Sequence, residues 1–151
     1  MTTELTTRSM QPSSAFVLAS WVAMLAGAAT YGMGLWNANM PLNEKGYYLT
    51  LLLYGLFSAV SLQKSVRDQA EGIPVTAIYM RLCWASMALV LLLLAIGLWN
   101  ASLADSEKGF YAMAFLLALF GAIAVQKNVR DMALFRKTDT FASGVEASSD
   151  S

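Results

Sequence analysis

The sequence predicts an all-α integral membrane protein whose four transmembrane helices form two parallel tandem helical hairpins. Of its 151 residues, 57% are hydrophobic and only 13% are charged, a composition that is unusual for a soluble domain. The apolar residues fall into four blocks, and the second half of the chain repeats the first at an offset of 63 residues. Because a backbone in lipid must satisfy its own hydrogen bonds, each block is expected to be a helix.

The four apolar blocks are residues 15–36, 46–62, 75–99 and 109–125. A helix needs about 20 apolar residues to cross the hydrocarbon core, with roughly 17 as the lower limit, so the second and fourth blocks are short spans. The first block is too long for the apolar region of a signal peptide and is predicted to be retained. Arg81 is the one charge inside a block, and we interpret it as an interfacial anchor, with a role in a pathway as the alternative.

The distribution of basic residues predicts the orientation of the spans. Eight of the ten Lys and Arg residues lie in the two tails or near the middle loop, and Lys45 and Lys108 occupy the other two loops. Both termini and the middle loop are therefore predicted to be cytoplasmic. The expected divisions are a cytoplasmic N-terminal tail, a first and a second two-helix domain, and a disordered cytoplasmic C-terminal tail. They cover residues 1–14, 15–71, 72–134 and 135–151.

The internal repeat is most specific in the loop and second helix of each half. Eighteen of 35 positions are identical between residues 34–68 and 97–131. The shared strings are GLWNA, EKGYY or EKGFY, and QKxVRD. Two spans in each half mean that both halves enter the membrane from the same side, as parallel repeats. The pattern resembles the YiaA/YiaB family, which implies tandem two-helix domains in a multi-pass protein of the bacterial inner membrane.

The outer motif, which contains GLWNA and EKGYY or EKGFY, covers the end of the first helix and the start of the second helix in each half. With neighbouring Tyr and Phe residues at 47, 48, 110 and 111, its Trp residues predict an aromatic belt at the membrane surface. The Asn residues suit a left-handed helix end, Asn43 and Ser106 are predicted N-caps, and the Gly residues allow close approach of another backbone. The alternative is a Glu–Lys ring that binds an ion or polar solute. The motif residues are Trp36, Asn37, Glu44, Lys45, Gly46, Trp99, Asn100, Glu107, Lys108 and Gly109.

The inner motif lies at the C-terminal end of the second helix of each half. Its basic residues are expected to anchor the helix ends at negatively charged lipid, with weak pairing between Lys64 and Asp68 and between Lys127 and Asp131. The motif residues are Gln63, Lys64, Arg67, Asp68, Gln126, Lys127, Arg130 and Asp131.

Residues at four-residue spacing predict helix-packing faces. Small residues allow close approach, and a Gln can form a hydrogen bond across the contact. In the second and fourth spans, each such stripe runs through Gln and ends at the Arg of the inner motif. A further stripe in the first span predicts tight packing, with another subunit as a candidate partner. The stripes are Gly55–Ala59–Gln63–Arg67, Ala118–Ala122–Gln126–Arg130 and Ala15–Ala19–Ala23–Gly27.

The residue inventory favours a non-catalytic membrane protein. The sequence has no His and a single Cys, which excludes imidazole catalysis and a Cys–His zinc site, and no cofactor, metal or catalytic residue is predicted. A net charge of zero removes the usual signature of a nucleic-acid binder. The predicted partners are the lipid bilayer and either further copies of the chain or a related membrane protein. The alternative function is a small oligomeric channel or transporter for ions or small polar solutes.

Overall fold

The computed structural model describes residues 12–149, with side chains for 12–134 and 136, and this part of the chain forms four helices. Each is long and apolar enough to cross a membrane, the last over its first 30 residues, Asp105–Leu134. This confirms the predicted fold class and the four candidate spans. In chain order, the helices are α1 Ser14–Asn37, α2 Leu42–Ala70, α3 Ala77–Asn100 and α4 Asp105–Ser149.

Local sequence explains where the helices begin and end. The hydroxyl of Ser13 accepts a hydrogen bond from the Phe16 N–H and caps α1. Pro41 precedes α2, where its missing N–H carries no penalty. After α2, Gly72 adopts a φ of +76°, a left-handed conformation that glycine tolerates best, and the chain turns back towards α3.

The helices extend beyond the apolar blocks. Helix α2 has 29 residues, which corresponds to roughly 43 Å at about 1.5 Å per residue, and it extends beyond the short second block at both ends. Helix α4 continues to Ser149, across most of the segment predicted to be a disordered tail. Residues 1–11 of the predicted N-terminal tail and residues 150–151 lie outside the described part of the chain.

The two halves of the chain exchange their first helices, so that each first helix packs on the other half. Helix α1 packs most extensively against α4, and α3 packs against α2, whereas α1 and α2 touch only slightly. The first helix of each half therefore lies on the second helix of the other half, and α2 and α4 meet at the centre. Gly34 illustrates this, because it faces Phe110 and Tyr111, while its repeat counterpart Gly97 faces Tyr47 and Tyr48.

The α1–α4 contact is closer than the α3–α2 contact. A Cβ atom on Gly27 would lie 2.5 Å from the backbone N of Ala118, and Gly121 lies against the backbone of Met24. At the corresponding positions of the other pair, the chain has the larger side chains of Val90 and Ser58. The tight packing expected of the first span is thus found at Gly27, and its partner there is α4 of the same chain.

The middle of the bundle is filled by apolar side chains. Tyr31, Val90 and Phe115 are fully buried. We call the end of the bundle with Trp36 and Trp99 the Trp end, and the end with Arg67 and Arg130 the Arg end. At the Trp end, Met40 and Leu103 cover Tyr48 and Tyr111, and the space that these four enclose is too small for a water molecule.

The close crossing of α1 and α4 predicts different effects of two glycine substitutions in the same helix. Gly27→Ala places a methyl group against the α4 backbone and is expected to destabilise the bundle by about 1–3 kcal/mol. Gly32→Ala points into open space and should be neutral or stabilising by about 0.5–1 kcal/mol. Denaturant unfolding in detergent micelles, followed by circular dichroism, measures both. Equal stability of the two variants would contradict the crossing.

Candidate functional site

Two reciprocal ion pairs join the halves at the Arg end. Arg67 on α2 donates to Asp131 on α4, and Arg130 on α4 donates to Asp68 on α2, with 2.5 Å between Arg130 Nη1 and Asp68 Oδ1. The repeated Arg-Asp dipeptide explains the geometry, because the Arg of each copy reaches the Asp of the other. The pairs therefore hold together the two helices that meet at the centre of the bundle.

Glu71, directly after α2, bridges the two arginines. One carboxylate oxygen lies 2.8 Å from Arg67 Nε, and the other lies 2.7 Å from Arg130 Nη2. The hydrogen bond from Arg67 and the neighbouring charge of Arg130 lower the pKa of the Glu71 carboxyl group. The repeat counterpart of Glu71 is Leu134, so this third acidic residue breaks the symmetry of the cluster.

The predicted pairing at the Arg end is wrong. Asp68 and Asp131 pair with arginines across the helix interface, while Lys64 and Lys127 are exposed. The sequence predicts that Arg67 and Arg130 anchor the helix ends at lipid, but in the structure both bind carboxylates of the facing helix instead. The planar guanidinium group presents several donors in fixed directions, so each Arg binds two carboxylates at once.

A pair of buried polar contacts lies one turn deeper. Asn128 on α4 is 1% exposed, and its Nδ2 donates to the Ser20 hydroxyl of α1 at 3.0 Å. At the corresponding positions, the Ser65 hydroxyl of α2 and the Cys83 thiol of α3 share a hydrogen bond at 3.5 Å. Sequence reasoning missed these contacts because Ser65 and Asn128 fill the variable position of QKxVRD. A polar residue at the same place in both apolar helices was the available signal.

Hydroxyl groups of tyrosine make two further bonds nearer the Trp end. The Tyr31 hydroxyl on α1 donates to the Tyr48 carbonyl on α2 at 3.1 Å. The Tyr47 hydroxyl donates to the Leu93 carbonyl on α3 at 2.7 Å. Its counterpart Phe110 has no hydroxyl, so the equivalent bond between α4 and α1 cannot form.

Several expectations for the outer motif need correction. Asn37 and Asn100 remain helical, and their amides donate to the carbonyls of Met33 and Ile96 at 2.8 Å, which satisfies last-turn acceptors without a left-handed residue. Helix α2 begins at Leu42 and α4 at Asp105, one residue before the predicted caps Asn43 and Ser106. The Glu107 carboxylate instead accepts from the Ala104 N–H at 2.9 Å.

The outer glycines and aromatic residues also differ from prediction. Gly46 and Gly109 face open space, so they do not serve close helix contact. Trp36 and Trp99 are 83% and 85% exposed, as a surface belt requires, but Tyr48 and Tyr111 are buried and stack at 6.4 Å between ring centres. These two rings therefore pack between α2 and α4 inside the bundle instead of joining the surface belt.

The other motif residues occupy the helix ends. Glu44 and Glu107 lie in the first turns of α2 and α4, where a negative charge is favourable. The Lys45 Nζ donates to the Trp36 carbonyl at 2.9 Å. Gln63 and Gln126 are half-buried on α2 and α4. Among residues 12–134 and 136, no group of three or more Cys, Asp or Glu residues could hold a metal ion.

Comparison with known proteins gives consistent matches. The family model described as the yiaA/B two helix domain matches twice, at residues 16–68 and 79–131. The chain is 57% identical over 122 residues to the inner membrane protein YiaA of Escherichia coli K12, covering 81% of this chain and 84% of that protein. It is 30% identical over 104 residues to YiaB of the same organism, covering 69% and 88%. No solved structure matches.

A further relative matches the chain over a shorter length. The chain is 38% identical over 64 residues to the uncharacterized membrane protein YubF of Bacillus subtilis 168, which covers 42% of this chain and 74% of that protein. The matched length is close to that of one copy of the repeat.

The lowered pKa of Glu71 predicts the pH dependence of the Arg end. The bridge is fully present above the ordinary Glu pKa of about 4.3 and is lost as the pH falls through the lower folded value. Wild type should therefore be more stable than Glu71→Gln at pH 7, and the difference should shrink as the pH falls below about 4.3 and vanish below the lowered folded pKa of Glu71. Thermal unfolding in detergent between pH 3 and pH 7 measures this. Glu44→Gln is the control, and an equal loss in both variants would contradict the bridge.

Proposed function

Because this chain belongs to the YiaA/YiaB family of two-helix-domain membrane proteins, we propose that it is a multi-pass protein of the bacterial inner membrane that acts without catalysis. Its role would be to associate with other membrane proteins and organise them laterally. The two domains would occupy residues 15–71 and 72–134, limits that enclose both matches to the family model.

One observation carries this proposal. Polar and charged side chains bond across the halves at the Arg end and at the buried Ser20–Asn128 and Ser65–Cys83 contacts, and among the described residues only the Ser58 hydroxyl and the Asn128 Oδ1 are buried side-chain polar atoms without a hydrogen-bond partner. Such groups mark a pathway or a reaction site when they line a cavity. Here they hold helices together, which favours a rigid module that presents its outer faces to partners.

The orientation proposed for the module places the Arg end and both termini in the cytoplasm. The excess of Lys and Arg at that end supports this through the positive-inside rule. Arg81 supports it as well, because it is exposed one turn from the start of α3 and can reach the headgroups of the same leaflet.

The outer face of α1 is the proposed contact surface for a second copy of the chain. Ala15, Ala19, Ala26 and Ala29 are exposed there, and small residues allow another helix to approach closely. The corresponding face of α3 carries larger exposed side chains, such as Leu82 and Leu92. We therefore favour a homo-oligomer through α1, with a related protein such as YiaB as a second kind of partner.

Cysteine crosslinking in native membranes tests the contact surface. In a Cys83→Ser background, which places in α3 the residue found at Ser20 in α1, Ala19→Cys should give a crosslinked dimer on oxidation. Leu92→Cys, exposed on α3, is the control and should remain largely monomeric. Monomer alone for Ala19→Cys, or equal dimer yields for both variants, would refute association through α1.

A small oligomeric channel or transporter is the alternative function. The centre of one copy offers no support for a pore, because Met40, Leu103, Tyr48 and Tyr111 close it at the Trp end. A pathway would then have to lie between copies, where the outer faces are mostly apolar.

Transport is tested with the purified full chain in liposomes. We expect the flux of potassium, chloride and glycerol to equal that of protein-free liposomes, because the outer faces of the helices are mostly apolar and would not line a polar pathway between copies. A channel protein reconstituted at the same protein-to-lipid ratio is the positive control. Flux above the protein-free level that rises with protein content would favour the channel and count against the packing role.

A further inference from the structure

An open pocket lies at the Trp end, between the end of α1 and the start of α4. Its volume is about 320 Å³, and Gly34 and Asn37 line it on α1. On α4, Glu107, Phe110 and Tyr111 line it. The rings of Phe110 and Tyr111 stand at 80° to each other with their centres 5.6 Å apart.

One difference between the repeats lies beside this space. In the first half, the hydroxyl of Tyr47 reaches the Leu93 carbonyl and ties α2 to α3. Phe110 takes the place of Tyr47 in the second half, cannot make this bond and is 45% exposed.

The lining of the pocket suits a cation. Glu107 uses one carboxylate oxygen to accept from the Ala104 N–H, and within the described residues its other oxygen forms no hydrogen bond. Aromatic faces attract ammonium groups within about 6 Å of the ring centre. Lys108, the nearest basic residue in sequence, does not line the pocket. We propose that this pocket binds the ammonium group of a phosphatidylethanolamine headgroup.

The position of the pocket supports a lipid as the source of that ammonium group. Trp36, one residue before Asn37, is 83% exposed at the same end of the helix, as expected for a ring at the headgroup level. The pocket is open to its surroundings at this level, so a headgroup in the adjoining leaflet can enter it while its acyl chains remain in the bilayer. The free carboxylate oxygen of Glu107 would then accept from the ammonium group.

Lipid retention by the full chain tests this proposal. The protein is reconstituted in vesicles of equal parts phosphatidylethanolamine and phosphatidylglycerol, extracted gently, and its bound lipids are counted by native mass spectrometry. We expect wild type to retain phosphatidylethanolamine over phosphatidylglycerol by roughly fivefold, the ratio that a cation–π contact of about 1 kcal/mol gives. Glu107→Gln should lower this preference, because it removes the negative charge proposed to contact the ammonium group.

The internal repeat supplies the matched control. Glu44 is the repeat counterpart of Glu107 and does not line this pocket, so Glu44→Gln should keep the preference. If Glu107→Gln fails to fold, Phe110→Leu replaces it, with Phe57→Leu on the exposed face of α2 as its control. No preference in wild type, or equal effects of a variant and its control, would overturn the site. Equal retention of free ethanolamine, in vesicles without the lipid, would overturn the assignment to a lipid. None of these outcomes depends on dimerisation through α1.

Discussion

Helices in lipid gain little by hiding apolar surface from one another, so their association depends on close backbone contact and on polar bonds. In this chain, both kinds of contact run between the halves. The backbone approach at Gly27 and Ala118 joins α1 to α4, and the paired Arg and Asp residues join α2 to α4. The exchange of helices follows, because the strongest available contacts of each first helix lie on the other half.

Because each first helix packs on the other half, the chain resembles a dimer of two-helix units fused into one polypeptide. The two units differ at the positions where their helices make contact. Gly27 permits a close α1–α4 crossing, whereas its counterpart Val90 keeps α3 farther from α2. The α3–α2 pair is instead tied by the hydroxyl of Tyr47. Each pair also has a buried polar contact, Asn128–Ser20 between α4 and α1 and Ser65–Cys83 between α2 and α3, and the open pocket lies beside Phe110, which has no hydroxyl.

Sequence reasoning recovered the elements but not their pairing. Hydropathy and length identify all four spans, because burial in lipid demands an apolar helix of minimum length. The partner of each helix could not be predicted, since a hairpin suggests contact between neighbours and periodicity does not say which face meets which helix. The stripe through Gly55 and Ala59 correctly marks a buried face of α2, yet the Arg–Asp bonds at its end require knowledge of the facing helix.

The charge cluster at the Arg end contributes more to register than to stability. Its side chains are 15% to 34% exposed, and ion pairs open to water add little to the free energy of unfolding. Sliding α2 along α4 by one turn, about 5.4 Å, would break both reciprocal pairs and separate Glu71 from Arg130. Each Arg-Asp copy can pair its Arg with the Asp of the other copy in one alignment of α2 and α4 only, so the repeated motif specifies how the two halves meet. The filled apolar interior and the close α1–α4 contact at Gly27 keep the halves together.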